Sequence, residues 1–560
     1  MKKQILYIIA MKRINYIRFI VLLSLAGMTG WSCNEFLERN SQNLVIPKTA
    51  AQYKEILQYE GYFHHLLKDG TPNGSYLFVN YMTDDVEYFD ALKEPGHPSS
   101  WNSRTGEDEK VEIYAGCYNW DADIEGSLFS PEVFIYLYKQ VMVANICLES
   151  VDECDGTKLE KETLRGQAAF TRAFAYFILA NIYAKPYASV LNGKTNPSEL
   201  CVPIKETSTP SVDTYYGRAT IGEVWGVITA DIQTALDNLK DKGLELNKYE
   251  ISYPAALVLA MRVALYMEDW DRVIALGEEF RIGFAKFAFY DISGKTTAGP
   301  RVLSIDDPTV TEEYHLKFMN STNTELIWTF AGGGAGYARP DYAVNQTLAP
   351  YTASKETVRY LRVSTNNNGE NASLIGLYEE GDRRKNYWFY EPKADETQYA
   401  TFRYDYTPCK FDNDPDYNIL QTSFAFRTAE VNLTLAEAYI RQPNTDAAAA
   451  LALLDELRQA RFDPASYAPL SASDYASPEA LRQLVWDERR RELCFDELHR
   501  WWDLRRTTQP RIKHLWRNNT YYLLDEGDAG YVLNFPKSEI TYAGSALIPN
   551  IRPNRSPIGE

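Results

Sequence analysis

Apolar residues return every three or four positions along much of this chain, and that period commits it to helices that must cover one another. In 131–151 they fall at Val133, Phe134, Leu137, Tyr138, Val141, Ala144 and Leu148, one stripe of a helix. Segment 162–183 repeats the pattern with Leu164, Phe170, Phe174, Phe177, Ile178 and Ile182, and Pro186 stops it. Thr220 reads as an N-cap with Glu223 three residues on, a capping box that opens a helix running to about Leu239. Segments 253–267 and 269–280 read as a helical hairpin with a very short turn, and 423–441, 445–461 and 478–500 complete the set. A helical pair buries its apolar face only against its neighbour, so the fold class expected is mainly α: a tetratricopeptide-like scaffold of helical pairs. Segment 325–330 reads as one of a few short strands.

Between the helices lie long irregular tracts, 69–119, 283–323, 331–351 and 388–417, rich in Gly, Pro, Asn, Asp and aromatics. Loops of that length are uncommon unless they carry function. The 560 residues, 45% hydrophobic and 24% charged, are ample for a large core and exclude bulk disorder and fibrous classes. A net charge of −18 disfavours nucleic acid as a partner, because phosphate binding wants a basic face.

The amino terminus reads as an address. Residues 1–32 carry Lys2, Lys3, Lys12, Arg13 and Arg18 and no acid, followed by the apolar run 19–26 and a small-residue exit at Gly30-Trp31-Ser32-Cys33. The run is too short to span a bilayer comfortably, which takes about 20 apolar residues. Met11-Lys12-Arg13 would open the same signal equally well. A Cys directly after such a run resembles a bacterial lipobox, so Cys33 is the expected lipidation site, with Gly30 where Leu is usual. The expected organisation is a signal peptide over 1–32 and a single domain over 33–560, with a helical half (33–300) and a loop-rich half (301–560). No later segment is long and apolar enough to suggest a span, so the membrane would be reached through lipid alone.

Little in the chain points to a metal, a cofactor or a reaction. Ser293-Gly294-Lys295-Thr296 resembles the end of a phosphate-binding loop, but Phe289 stands where that loop needs Gly. There is no HExxH, and His64, His65, His97, His315, His499 and His514 show no ligand spacing. Asp412-Asn413-Asp414-Pro415-Asp416 begins like a calcium loop but continues with Tyr417 and Ser423 where Gly and Glu belong. Cys117, Cys147, Cys154, Cys201, Cys409 and Cys494 have no CxxC spacing and read as buried thiols; Cys147 and Cys154, seven apart on one helix, would lie too far apart to bridge. A glycosidase needs two carboxylates at a set separation, and among 76 acids nothing picks out a pair.

Flat rings stack on apolar faces of a ligand, and Asn, Asp and Arg bond its polar groups, so loop aromatics interleaved with polar residues are the candidate contacts. Trp101-Asn102 lies in a Pro/Ser/Asn tract that ends in Tyr118, Asn119 and Trp120; Tyr337, Arg339 and Tyr342 lie in a Gly-rich loop; Trp388 and Tyr390 follow the Gly381-Asp382-Arg383-Arg384 turn. Helical rings such as Phe170, Phe174 and Phe177 read as core.

Several segments resemble the SusD/RagB family of outer-membrane nutrient-binding lipoproteins of Bacteroidetes. The strongest is ERRRELCFDELHRWWDLRR at 488–506, against a family pattern of about ERRxELxFEGxRxxDLxR. Glu488, Arg489, Arg490, Glu492, Leu493 and Phe495 fit its first half, and Arg500, Asp503, Leu504 and Arg506 its second, with one residue more between them. FRTAEVNLTLAEA at 426–438, LRGQAAFTRAFAYFILANIYAKPY at 164–187, and VPI, Arg218-Ala219-Thr220, Glu223-Val224 and Asp231-Ile232 in order over 202–239 add to it. Tyr138 with Ala144-Asn145, and Asp269-Trp270, also match; the terminus departs, with Asn554-Arg555-Ser556-Pro557 where QNPGY-like sequence is common.

The acids and arginines of 486–506, with Arg427, Glu430 and Glu437, read as a salt-bridge lattice tying helices together. The resemblance implies a SusD-like fold and a surface protein that captures oligosaccharide and closes over a SusC-like TonB-dependent transporter, without chemistry or cofactor. A peptide ligand, as in the RagB branch, a glycosidase, and a purely structural helper for the transporter are the alternatives it leaves open.

Overall fold

In the computed structural model of the protein, which describes residues 47–63, 76–88, 115–124, 133–209, 215–295, 318–319, 323–329, 361–365, 372–390, 407–408, 425–475, 477–516 and 519–559, contacts divide the chain into Met1–Lys48 and Thr49–Glu560. All the elements that follow belong to the second unit. The α-helices are α1 (Ala50–Ile56), α2 (Val133–Ser150), α3 (Lys158–Tyr183), α4 (Ile221–Leu239), α5 (Tyr253–Tyr266), α6 (Trp270–Gly283), α7 (Arg383–Trp388), α8 (Thr428–Arg441), α9 (Ala447–Gln459), α10 (Pro478–Leu493), α11 (His499–Arg506) and α12 (Lys537–Ala543). Short strands fill in between: β1 (Val86–Tyr88), β2 (Ala188–Ser189), β3 (Gly193–Lys194), β4 (Leu326–Thr329), β5 (Leu361–Val363), β6 (Phe389–Tyr390), β7 (Thr407–Pro408), β8 (Ala425–Arg427), β9 (Ile512–Trp516), β10 (Thr520–Leu524) and β11 (Ile558–Gly559). They pair antiparallel as β1–β5, β2–β3, β4–β8, β6–β7 and β9–β10–β11.

Local chemistry sets the helix starts. Thr49 with Gln52, Thr157 with Glu160, and Thr220 with Glu223 each close a reciprocal capping box, which pairs donors the first turn leaves open. Asp269 and Asp446 cap α6 and α9 with their carboxylates, and Ser477 caps α10 ahead of Pro478. The helices then lie side by side in chain order, α2 on α3, α3 on α4, α4 on α5, α5 on α6; α8 takes up α6, α9 and α10. The frame is thus a row of helical pairs, as the apolar period requires.

The centre of the row is α3, whose residues from Gly166 to Tyr183 are buried on nearly every side, Arg172 apart. Phe170 and Phe174 meet Trp328 of β4 and Phe426 of β8 at ring-centroid distances of 5.2 to 6.2 Å, so the small β4–β8 sheet is pinned to the helical core by aromatic edges. On the other flank α4 comes so close that a Cβ on Gly166 would sit 2.6 Å from Leu239 Cγ. Among the described residues no helix is long and apolar enough to cross a membrane.

Three sequence expectations change. The helix expected over 423–441 opens as strand, β8, and turns helical only at Thr428. The helix expected over 478–500 stops at Leu493; Phe495 (φ 58°) and Glu497 (φ 47°) turn the chain before α11 resumes. Cys154 lies beyond the end of α2 rather than on it, and both it and Cys147 are buried free thiols.

The ion-pair lattice is buried rather than superficial, and most of its bonds are long-range. Arg384, Arg427 and Arg461 all converge on Glu492 at 2.9 to 3.1 Å. Arg427 also holds Asp496 and Glu325, Glu488 takes Arg458 at 2.9 Å and Arg491 at 2.7 Å, and Arg506 grips Glu437 with both nitrogens at 2.7 and 2.8 Å. Burial alone would raise the Glu437 carboxyl, but Arg506 holds it down to about 2. A buried pair adds little net stability over an apolar pair, but losing one partner costs about 3–5 kcal/mol, so these residues fix which helix ends meet.

Candidate functional site

The arginines of α10 and α11 reach out to one segment, 76–88. Arg500 binds Asp84 with two bonds of 2.7 Å; Arg490 holds the Asp85 carboxylate at 2.7 Å and the Asp84 carbonyl at 3.1 Å. Burial would raise the Asp84 carboxyl, but Arg490 and Arg500 keep it well below the usual carboxylate range. Ser364, just past β5, donates to the Asp84 carbonyl from its hydroxyl at 2.9 Å and to the Asp85 carbonyl from its amide at 2.8 Å. The clamp delivers β1, and with it Tyr88, to the side of β9.

There the rings stack. Alternation along β9 puts Ile512, His514 and Trp516 on one face. His514 is held between Tyr118 and Trp120, each 4.1 Å away and within 20° of parallel. Tyr118 continues to Trp516 (5.8 Å), and Trp516 to Tyr88 (5.3 Å, 52°) and to Tyr522 of β10 (6.2 Å). Trp120, in a left-handed backbone conformation (φ 53°), donates its indole N–H to the Met82 carbonyl at 2.9 Å. His514 presents Nδ1 to the Tyr118 carbonyl at 2.7 Å and Nε2 to the Thr83 carbonyl at 2.9 Å. Burial pushes its imidazole down to about 4, against both carbonyls, which favour the charged form. The Tyr118 hydroxyl accepts from the Tyr88 amide at 2.7 Å and donates to the Leu515 carbonyl at 3.1 Å, so one phenol ties together the strands that carry Tyr88 and Trp516. Burial keeps that phenol neutral, far above its ordinary pKa.

The result is an aromatic column, buried at Trp120 and half-buried at its outer end, Tyr88 and Trp516. Its rings are fixed in place by bonds to the Met82, Thr83, Tyr118 and Leu515 carbonyls.

Against this geometry the expected contacts sort themselves. Tyr118 and Trp120 are 0% exposed, and Asn119 beside them is buried, so they are corrected from ligand contacts to supports of the column. Trp388 is likewise corrected: it ends α7 rather than sitting in a loop, is 0% exposed, and packs its ring 4.9 Å from Phe318. The loop composition around them suggested exposure, but their partners come from distant chain. Trp101, Asn102, Tyr337, Arg339, Tyr342 and the lipidation candidate Cys33 lie outside the described residues. Tyr88 and Trp516, at the outer end of the column, were not singled out in the sequence; the signal for Trp516 is the alternation of Ile512–Trp516 and Thr520–Leu524 around Arg517-Asn518-Asn519, a hairpin pattern. Among the described residues no group of His, Cys, Asp and Glu could hold a metal ion.

Comparison with known proteins gives two family matches in chain order. Residues 80–265 match a SusD-like family described as starch-binding and associating with the outer membrane, and residues 345–545 match the SusD family. No curated protein matches. Solved structures share the fold at low identity. A SusD superfamily protein from Bacteroides thetaiotaomicron is 17% identical, with TM-score 0.64, covering 90% of this chain and 100% of that one. A SusD-like carbohydrate binding protein from Bacteroides vulgatus is 18% identical, with TM-score 0.60, covering 89% and 97%. A SusD superfamily protein from Bacteroides fragilis is 19% identical, with TM-score 0.60, covering 88% and 98%.

Proposed function

Because the chain belongs to the SusD/RagB family, we propose that it is a cell-surface lipoprotein that binds an oligosaccharide and passes it to a SusC-like TonB-dependent transporter. The observation that carries this reading is the pair of family matches, 80–265 and 345–545, following one another along one helical frame. The first family's description joins starch binding to the outer membrane, and one solved structure of the same fold is named for carbohydrate binding. The leader 1–32 ending before Cys33 supports a lipid anchor, where two or three acyl chains hold stably and one alone would not.

Binding proceeds without bond cleavage. The acids of the family motifs, Glu437, Glu488, Glu492 and Asp503, are tied to arginines in the frame. Release inward requires only that binding be moderate. Trp101, Asn102, Tyr337, Arg339 and Tyr342 remain the proposed loop contacts. The net charge of −18 favours a neutral ligand, since Coulomb repulsion slows the approach of a polyanion.

Titration of the purified protein with neutral oligosaccharides and, in parallel, a peptide pool tests this. Sugar binding is expected; binding of peptides alone would place the protein in the RagB-like reading. Trp101→Ala is expected to weaken sugar binding at least tenfold with an unchanged melting temperature. Equal binding by that variant would remove Trp101 from the site.

A further inference from the structure

We propose that two copies of this chain dock face to face through an apolar patch around Arg218, built by Leu200, residues 215–219, α12 and residues 546–551. The proposal goes beyond ligand binding and does not depend on which ligand is bound.

Exposed apolar side chains scattered singly are ordinary, but a group of them marks an interface. Among the described residues eleven large hydrophobic side chains are exposed, and five of them, Leu200, Tyr215, Tyr542, Ile548 and Ile551, gather here. One guanidinium draws them together. Arg218 donates to the Leu200 and Cys201 carbonyls at 2.8 and 2.7 Å, to the Ile548 carbonyl at 3.2 Å and to the Asn550 side-chain oxygen at 2.9 Å. The Tyr215 and Tyr542 rings meet edge to face at 5.6 Å, and a Cβ on Gly217 would lie 3.4 Å from the Ala546 carbonyl. On α12, Ile540 and Ala543 lean on the core while Tyr542 is 67% exposed; Ile551 is 89% exposed. Tyr and Arg are enriched in the centres of interfaces, where Lys and Glu are scarce. Glu199, beside Leu200, and Lys537, on α12, are already paired with Lys185 and Asp123.

What covers the patch follows from its two remaining charges. The acceptors of Arg218 are all neutral, and no carboxylate acts on it. Glu539, three residues before Tyr542 and so on the same side of α12, is half-buried, and no cation offsets the burial that raises its carboxyl. A two-fold axis sets a patch against its own image. A patch holding one cation and one anion, each without an ion pair, is complementary to itself: the Arg218 of each copy meets the Glu539 of the other. The net charge of −18 opposes the approach, but at physiological ionic strength exposed charges more than about 8 Å apart are largely screened, and a contact pair is not. The anchor proposed at Cys33 would keep copies on one surface, where modest affinity suffices.

The test is sedimentation velocity of the full chain in unacylated form, across a range of concentrations at physiological ionic strength. A reversible monomer–dimer equilibrium is expected. Ile551→Asp and Glu539→Lys are each expected to weaken it at least tenfold with an unchanged melting temperature. Ile282→Asp, the same change at an exposed position on α6, is the control and is expected to associate as wild type does. In a second arm the protein is mixed with vesicles of phosphatidylethanolamine and phosphatidylglycerol, and Ile551→Asp is expected to behave as wild type. A monomer at every concentration would overturn the proposal. So would wild-type association in either patch variant, or an equal loss in Ile282→Asp. Vesicle binding that Ile551→Asp abolishes would assign the patch to lipid and overturn it as well. None of these results bears on sugar binding, which the titrations above test separately.

Discussion

Arg262 is 0% exposed and faces two carboxylates, Glu430 at 2.7 Å and Glu497 at 3.0 Å, with His499 3.4 Å from the same guanidinium. One guanidinium cannot fully compensate two buried acids. Burial raises the Glu497 carboxyl to about 7 in spite of Arg262. A carboxyl whose folded pKa lies above its unfolded value stabilises the fold fully below the unfolded pKa, and that stability is lost as pH rises through the folded one. Against an ordinary value of 4.5, the span is worth roughly 3 kcal/mol between pH 4.5 and 8. Glu497→Gln removes the titration, so the stability deficit of this variant relative to wild type is expected to shrink as pH rises from 5 to 8 in denaturant unfolding. A deficit that stays constant or grows would contradict the raised pKa. None of this was legible in the sequence, where Glu497 is one acid in an acid- and Arg-rich run. Tyr118 and Trp120 failed for the same reason: the residue that buries them, His514, lies nearly four hundred positions away.

Elements were more legible than residues because their causes are local. The Thr220–Glu223 box starts α4 where its spacing puts it, and Thr157–Glu160 and Thr49–Gln52 carry the same signature. The break between α10 and α11 has no Gly or Pro to announce it; Phe495 and Glu497 take positive φ where a side chain pays for that conformation. Buried ion pairs on both sides, Arg427 with Asp496 and Arg262 with Glu497, hold the turn in place. Helix spacing is set by equally local means. At Gly166 a Cβ would lie 2.6 Å from Leu239 Cγ and 3.2 Å from Asn238 Cβ, and the α3–α4 contact would have to open. Overpacking of this kind costs about 1–3 kcal/mol, against roughly 1 kcal/mol gained in helix propensity from Gly to Ala. Gly166→Ala is therefore expected to lower the unfolding midpoint. An equal or higher midpoint would show that the helices can separate at no cost.

At the scale of the whole molecule, a row of helical pairs is a consequence of the apolar period, and the family motifs are the polar fastening of that row. Glu488–Arg506 is conspicuous in sequence because it is rich in charge. Its structural role is to join α8, α10 and α11 and to hold segment 76–88, and so β1, against the hairpin that carries Trp516. Frame and motif were thus readable from the chain. The aromatic column was not, because its rings come from segments far apart in sequence, Tyr88 and Tyr118 on one side and His514 and Trp516 on the other. Family and fold together describe a SusD-like helical body, and the proposed reading is that it binds a nutrient without altering it. The most direct check is equilibrium titration of the purified protein with neutral oligosaccharides, with the ligand recovered afterwards and sized by mass spectrometry. Saturable binding with the saccharide returned at its full length is the predicted result; a shortened saccharide, or no binding to any of them, would contradict it.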